Sequence, residues 1–243
     1  MNQLLTLSKA LDILNLLANQ SSTMSVEDIA TELQIPVSTT YRLIQTLEKY
    51  DYVKRHSRAA ISLGTSFLTL ARKVNADYDK QLREISLEPM TNLTTLTGET
   101  SILHVRSGYH SICVANVAPK SMIRFVAENY RSIPLHIGCS GIAILAFESD
   151  VIIQSVYNRI ADPDVQHSLN LKLSKAKSDG YYISSEEFDP DSIGIGVPVF
   201  DKNHHIYASI SIVGPAFRIS RNSFSDYVDA LKKASAEITS KMD

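Results

Sequence analysis

Apolar residues in the first sixty positions recur at helical spacing, and the breaks between the stretches are sharp. Leu7, Ala10, Leu11, Leu14, Leu17 and Ala18 predict a first helix over residues 7–19 with one buried stripe. Asn19, Gln20, Ser21 and Ser22 end that pattern. Val26, Ile29, Ala30 and Leu33 predict a second helix, with Ser25 as its N-cap and Asp28 in the acidic slot of a capping box. Gln34, Ile35 and Pro36 form a short turn, because Pro36 cannot continue a helix. A third helix then starts at Ser38 or Thr39. Its inward positions are Thr40, Leu43, Ile44 and Leu47, and its outward ones Thr39, Arg42, Gln45, Thr46 and Lys49. Residues 52–55 and 61–63 read as two short strands around the polar loop His56-Ser57-Arg58.

The pattern changes after this point. Phe67, Leu70, Ala71, Val74, Leu82 and Ile85 predict a linker helix over residues 65–87, with a break near residues 75–77. Pro89 suits the first turn of a new helix carrying Met90, Leu93 and Leu96, which Gly98 stops. Residues 100–105 and 111–117 form a hairpin around Ser107-Gly108, and residues 122–127 are a third strand followed by a loop over 128–133. An apolar helix over 140–146 is introduced by Gly138 and Cys139, with further helices at 150–159 and 165–179. A second hairpin pairs residues 193–200 with 205–213, and a last helix covers 222–242. Strands and helices interleave without the alternation of a doubly wound sheet, which predicts an α+β fold built on an antiparallel sheet with packed helices.

Composition narrows the function classes. Of 243 residues, 44% are hydrophobic and 21% charged, the balance of a globular protein. Net charge is −2, so any nucleic-acid site must carry its positive charge locally. Residues 42–58 do so, with Arg42, Lys49, Lys54, Arg55 and Arg58 against Glu48 and Asp51. That surplus is modest, and affinity is expected to depend on dimerisation. Cys113 and Cys139 lie far apart and no Cys/His cluster occurs, so neither a metal site, a disulfide framework nor a cofactor is expected. The N-terminus lacks a basic leader pattern and no apolar run reaches membrane-span length, which predicts a cytoplasmic protein with no membrane partner.

Two helices, a tight turn and a third helix with a polar, Arg-bearing face describe a helix-turn-helix. Hydroxyls of Ser38, Thr39 and Thr40 at a helix N-terminus suit phosphate oxygens. Arg42 and Gln45 have the donor geometry to read base edges, while Lys49, Lys54, Arg55 and Arg58 can meet the backbone. Any amphipathic three-helix domain shows similar periodicity. Such a domain explains neither the tight turn nor the basic ribbon.

These residues carry a resemblance. The run "LTLSKALDILNLLA … SVEDIATELQIPVSTTYRLIQTLEKYDYVKR … ISLG" resembles the start of the IclR family of bacterial transcriptional regulators. Similarity continues in the same order through "LTTLTGETSILHV", "IPLHIGCSGIAILA", "IGVPVFD" and "SISIVGPAFR". The resemblance implies a winged helix-turn-helix over residues 1–64, a linker helix over 65–87 and a GAF-like effector-binding domain over 88–243. It also implies a double-stranded DNA operator, a small organic acid effector, repression as the common mode, and a homodimer or dimer of dimers. Gln34 and Asp51 stand where the family usually has Gly, and Ile142 where it commonly has Lys.

The helix-end sequence Gly138-Cys139-Ser140-Gly141 favours an anion through its backbone N–H groups and dipole, and its small residues allow close approach. An ordinary capped helix start would look the same. The resemblance places a pocket between this stretch and Ser184, Gly194, Ser211 and Val213. It also implies two missing polar handles, since relatives carry an acid at the position of Ser184 and a Cys at that of Gly194, which predicts a roomier or more apolar pocket and a ligand other than a two-carbon acid. Arg131 is either a counter-charge or a solvated loop residue, with the latter favoured. His104 and His136 read as core or surface residues rather than ligands.

Two rival functions can be weighed. Catalysis would use Cys139 or Ser140 as nucleophile, yet "GCSG" is not a nucleophile elbow and no His/Asp pair is placed by motif, so no enzyme is expected. A ligand-binding module with a decayed DNA-binding arm is allowed by Gln34 and Asp51. Against it, Arg42, Gln45, Lys54, Arg55 and Arg58 keep an outward polar pattern.

Overall fold

The computed structural model describes residues 4–20, 22–57, 60–74 and 80–242, and the chain divides into two compact units, Met1–Tyr78 and Asp79–Asp243. The first unit contains helices α1 (Leu5–Asn19), α2 (Val26–Glu32) and α3 (Val37–Lys49), the antiparallel strands β1 (Val53–Ser57) and β2 (Ala60–Leu63), and helix α4 (Ser66–Val74). Its core is small and continuous: Ile13, Leu17, Val26, Ile29, Ile44, Val53 and Ile61. The α1 stripe differs from the predicted one. Leu7 and Leu11 are half exposed, Ala18 is exposed, and Ile13 is fully buried. Ala10, Ile13, Leu14 and Leu17 complete an i, i+3, i+4, i+7 set in which Ile13 replaces Leu11 as the inward member.

Local chemistry fixes the turns of this unit. Ser25 Oγ accepts from the Asp28 N–H at 3.0 Å and Asp28 Oδ2 from the Ser25 N–H at 3.2 Å, the reciprocal capping box predicted for α2. Helices α2 and α3 end alike. Gln34 and Asp51 take left-handed φ values of 53° and 57°, and the next N–H reaches back five residues, Ile35 to Ala30 O and Tyr52 to Leu47 O, each at 2.9 Å. Asp51 gains compensation, since its carboxylate accepts from the Thr65 hydroxyl at 2.5 Å. Gly64 is required opposite it, because a Cβ there would lie 2.1 Å from the Asp51 carbonyl oxygen. Met24 bridges Ile61 through two backbone hydrogen bonds and braces the β1–β2 ribbon against the helices.

The second unit is a sheet covered on both faces. It runs α5 (Lys80–Thr97), β3 (Thr100–Ser107), β4 (His110–Val117), β5 (Ser132–Pro134), α6 (Gly138–Leu145), α7 (Asp150–Tyr157), α8 (Pro163–Asp179), β6 (Tyr182–Ser185), β7 (Ser192–Phe200), β8 (Ile206–Pro215) and α9 (Phe224–Ser240). Its described strands pair antiparallel in the order β5-β4-β3-β8-β7-β6. On one face α5 and α9 pack Met90, Leu93, Leu231 and Ile238 over Leu103, Val197, Ile210 and Ile212. On the other, α6 and α8 bury Ile142, Leu145, Leu169 and Leu173.

Three sequence expectations need correction here. Pro89 does not open a helix, because α5 runs through it. Proline inside an isolated helix costs about 3 kcal/mol. In α5 the buried row of Leu82 and Ser86 on one side of Pro89 continues as Met90 and Leu93 on the other, so packing of one face carries the helix across. Residues 122–127 form no strand. Met122, Ile123 and Val126 are exposed, and side chains anchor the segment: the Thr100 hydroxyl donates to Phe125 O at 2.6 Å, and Arg218 Nη1 to Ile123 O at 3.0 Å. The short edge strand β6 was not anticipated. The expected break at residues 75–77 lies outside the described residues. Among the described residues, no helix is long and apolar enough to cross a membrane.

Candidate functional sites

Helix α3 exposes one polar face. Ser38, Arg42, Gln45, Thr46 and Lys49 are exposed and Thr39 is partly buried. No side chain caps the start of α3. Thr40 is the exception among the predicted contacts. Its side chain is fully buried and its hydroxyl donates to Pro36 O at 3.3 Å, so it packs α3 onto the core and cannot reach a ligand. Arg55 also departs from expectation. It is partly buried, with Nε 3.4 Å from Glu48 Oε2 and its guanidinium 5.2 Å from the Tyr41 ring centroid, and so ties β1 to α3. Lys54, the neighbouring strand position, is exposed. Arg58 lies outside the described residues. Tyr41, half exposed beside Arg42, is a further member of this face that charge patterning alone did not select.

In the second unit the predicted pocket residues converge. Gly138, Cys139, Ser140, Gly141, Ser184 and Gly194 line one cavity, whose empty space with its open mouth included is ≈ 660 Å³. Ser211 stands behind this wall, its Oγ 2.9 Å from Ser140 Oγ. The N-terminus of α6 is capped by the chain itself. The Cys139 N–H donates to Ser184 Oγ at 3.1 Å, and the Gly138 N–H to Glu187 Oε2 at 3.2 Å. Glu187 also accepts from Lys172 Nζ at 2.6 Å and from the Tyr182 hydroxyl at 2.8 Å. Burial, with the Glu187 carboxylate beside it, pushes the Tyr182 phenol up, so it stays a donor.

Close packing explains the glycines better than ligand approach does. A Cβ on Gly141 would lie 2.6 Å from Leu135 O, and one on Gly196 2.9 Å from Cys139 O. At Gly194 it would meet Cys139 Sγ at 2.6 Å. The Cys139 side chain therefore fills the space above Gly194, and the extra room expected there is absent.

Val213 joins them as expected, and the wall also takes in residues the sequence pattern did not single out, among them Phe125, Glu187 and Phe188. Arg131, favoured as a solvated loop residue, also lines the cavity and is exposed there, its guanidinium 4.6 Å from the Phe188 ring centroid. His104 is part of the wall too rather than sealed in a core, although it is only 4% exposed, and burial pushes its imidazole down to about 4. Burial raises both thiols, Cys113 to about 11. Neither cysteine is thus a thiolate near neutral pH, which removes the physical basis for a nucleophile at Cys139. The segment before β5 that completes the wall is held from below. Arg218 chelates the buried Glu99 carboxylate at 2.5 and 2.7 Å while also holding Ile123 O, and a Cβ on Gly214 would collide with that carboxylate. The "GPAFR" sequence is therefore a structural clamp.

Comparison with known proteins finds a match for each unit. Residues 6–57 match the IclR helix-turn-helix domain model, and residues 74–240 match the model for the C-terminal part of bacterial transcriptional regulator IclR. The HTH-type transcriptional repressor AllR of Klebsiella pneumoniae is 27% identical over 251 residues, covering 97% of this chain and 89% of its own. An IclR family regulator from Brucella abortus shares the fold at TM-score 0.84 and 19% identity, over 100% of this chain and 94% of its own. So does an IclR homolog from Microbacterium hydrocarbonoxydans complexed with 4-hydroxybenzoate, at TM-score 0.67 and 19% identity over 97% and 98%. The matched models together span most of the sequence, and the chain belongs to the IclR family of bacterial transcriptional regulators.

Proposed function

We propose that this regulator is a repressor that binds a double-stranded DNA operator through α3 and responds to a small organic acid in the cavity of its second unit. The observation that carries the reading is the exposed face of α3, where Arg42 and Gln45 follow an uncapped helix start. Ser38 and Thr39 position the helix on phosphate, Arg42 and Gln45 read base edges, and Lys49 and Lys54 meet the flanking backbone. Arg55 acts by positioning the ribbon. Two chains, or a dimer of dimers, present paired recognition helices to successive major grooves of a palindromic site. The repressor names of the relatives support the mode, and the 4-hydroxybenzoate complex of one structural neighbour supports an organic acid. The acid shifts DNA affinity to the extent that it binds the DNA-competent and incompetent arrangements unequally.

The test is capture of fragmented genomic DNA by the purified protein, sequenced after washes at rising salt. Recovery of one or a few palindromic sites that persist at higher salt is the expected result. Diffuse fragments that wash off together would overturn the operator reading and favour a module whose arm senses charge alone.

A further inference from the structure

The cavity wall holds one polar group that the foregoing does not use. His104 on β3 is buried, and its Nδ1 is shielded from solvent and has no hydrogen-bond partner among the described residues. Its register partner on β8 is Ser209, whose Oγ is likewise buried without a partner. Residues directly opposite in an antiparallel ladder point to the same face. The two unpartnered groups therefore lie on one face of the sheet, the face on which His104 lines the cavity. Other polar side chains of the wall are engaged: Ser184 with Cys139, Ser140 with Ser211, and Glu187 with Lys172 and Tyr182. A buried polar group left unmade is costly, and a ligand that completes it recovers that cost.

The chemistry of the missing partner follows. Burial keeps the ring neutral at physiological pH, so it offers one donor nitrogen and one acceptor nitrogen. A carbonyl satisfies only the donor. A hydroxyl donates and accepts, and so completes either tautomer without bringing a charge into a buried place. Around it, Ile102, Phe125, Ile133 and Phe188 supply an apolar wall for a carbon skeleton, and Arg131 is the cation lining the cavity.

We propose that His104 is the specificity-determining residue of this pocket and hydrogen-bonds an uncharged hydroxyl of the effector, which is therefore a hydroxylated organic acid with its carboxylate toward Arg131. The assignment rests on the organic-acid reading above and deepens it.

The test is calorimetric titration of the full chain with matched acids: benzoate, phenylacetate and hexanoate, each against its para- or terminal-hydroxy form. In the wild type, at least one hydroxy acid should bind about tenfold to hundredfold more tightly than its parent, the range for satisfying a buried partner. His104→Leu should bring that pair to equal affinity, and His104→Gln, which keeps a donor and an acceptor, should restore part of the gap. Equal binding of both members in the wild type overturns the role of His104 while leaving the pocket as an organic-acid site. A preference that survives in His104→Leu does the same. Failure of every acid to bind overturns the ligand class as well, and the DNA capture experiment then judges the regulator reading independently.

Discussion

The two units place their chemistry in opposite ways. In the first, the candidate contacts project outward from the thirteen residues of α3, at helical spacing, and from the nearby strand position Lys54. In the second, the cavity wall is drawn from β3, β4, the segment before β5, β5, α6, β6 and the loop after it, β7 and β8, so residues of one wall are more than a hundred positions apart in the chain, as Ile102 and Val213 are. The cores differ in step. The helical unit has a single small cluster under its exposed face, whereas the sheet unit has a cluster on each side and its cavity sits where polar groups interrupt one of them. A convex reader can be encoded locally. A concave one has to be assembled by topology, and its specificity rests on groups whose partners are far away in the chain.

Breaking each unit separately is the sharpest use of that contrast, with hydrogen exchange resolved by region as the measurement. Arg218→Ala leaves the Glu99 carboxylate, 1% exposed, without its bidentate partner. We expect a loss of about 3–5 kcal/mol, the range for breaking a buried pair, confined to amides of the second unit. Gly64→Ala forces a Cβ against the backbone oxygen of Asp51. It should cost the first unit about 3 kcal/mol and leave the second unchanged. Equal protection loss in both units for either variant would contradict the division.

Acid sharpens the comparison further. Burial pushes the folded His104 imidazole down to about 4 from its ordinary value of 6.5. The unfolded chain therefore binds more protons between these values, and stability falls as pH drops from 6.5 towards 4. The full loss is about 3 kcal/mol, already complete below the lower value. His104→Leu should flatten that part of the profile for the second unit only, measured as the difference between the two unfolding curves.

Smaller effects belong to the first unit. Arg42→Ala should reduce discrimination between operator and random DNA by about 1–3 kcal/mol, whereas Lys54→Ala should weaken both equally and lower the salt slope by about 1. An unchanged specificity ratio for Arg42→Ala would remove α3 as the reading element. Gln34→Gly should stabilise this unit by about 0.5–1 kcal/mol, since Gln34 holds a left-handed φ with no compensating side-chain bond of the kind Asp51 makes.

Sequence patterning was a good guide where periodicity is the physical signal. The capping box at Ser25, the turn at Gln34-Pro36, the inward face of α3 and both sheet hairpins are local consequences of side-chain order. Pro89 misled because helix continuation there is decided by packing on β4 and α9 rather than by the proline. Residues 122–127 misled because an apolar run was read as a strand although nothing pairs with it. The GCSG stretch entered the pocket through helix-end chemistry, and Ser184 and Gly194 through family resemblance. Glu187 and Phe188 could not, since the loop after β6 has no periodic signal. Arg55 was read as a DNA-backbone contact, and its pairing with Glu48 and Tyr41 was not legible because it depends on how the ribbon folds back.

The contact between Cys139 and Gly194 has a consequence for how such sequences can diverge. The sulfur on α6 occupies the volume that any side chain on β7 would need, so positions 139 and 194 share a single allotment of space. Gly194→Cys alone should be poorly tolerated, while the double change with Cys139→Gly should be accepted. Two sites fifty-five residues apart are thereby expected to vary as a pair across descendants of this chain, with the sulfur moving between helix and strand.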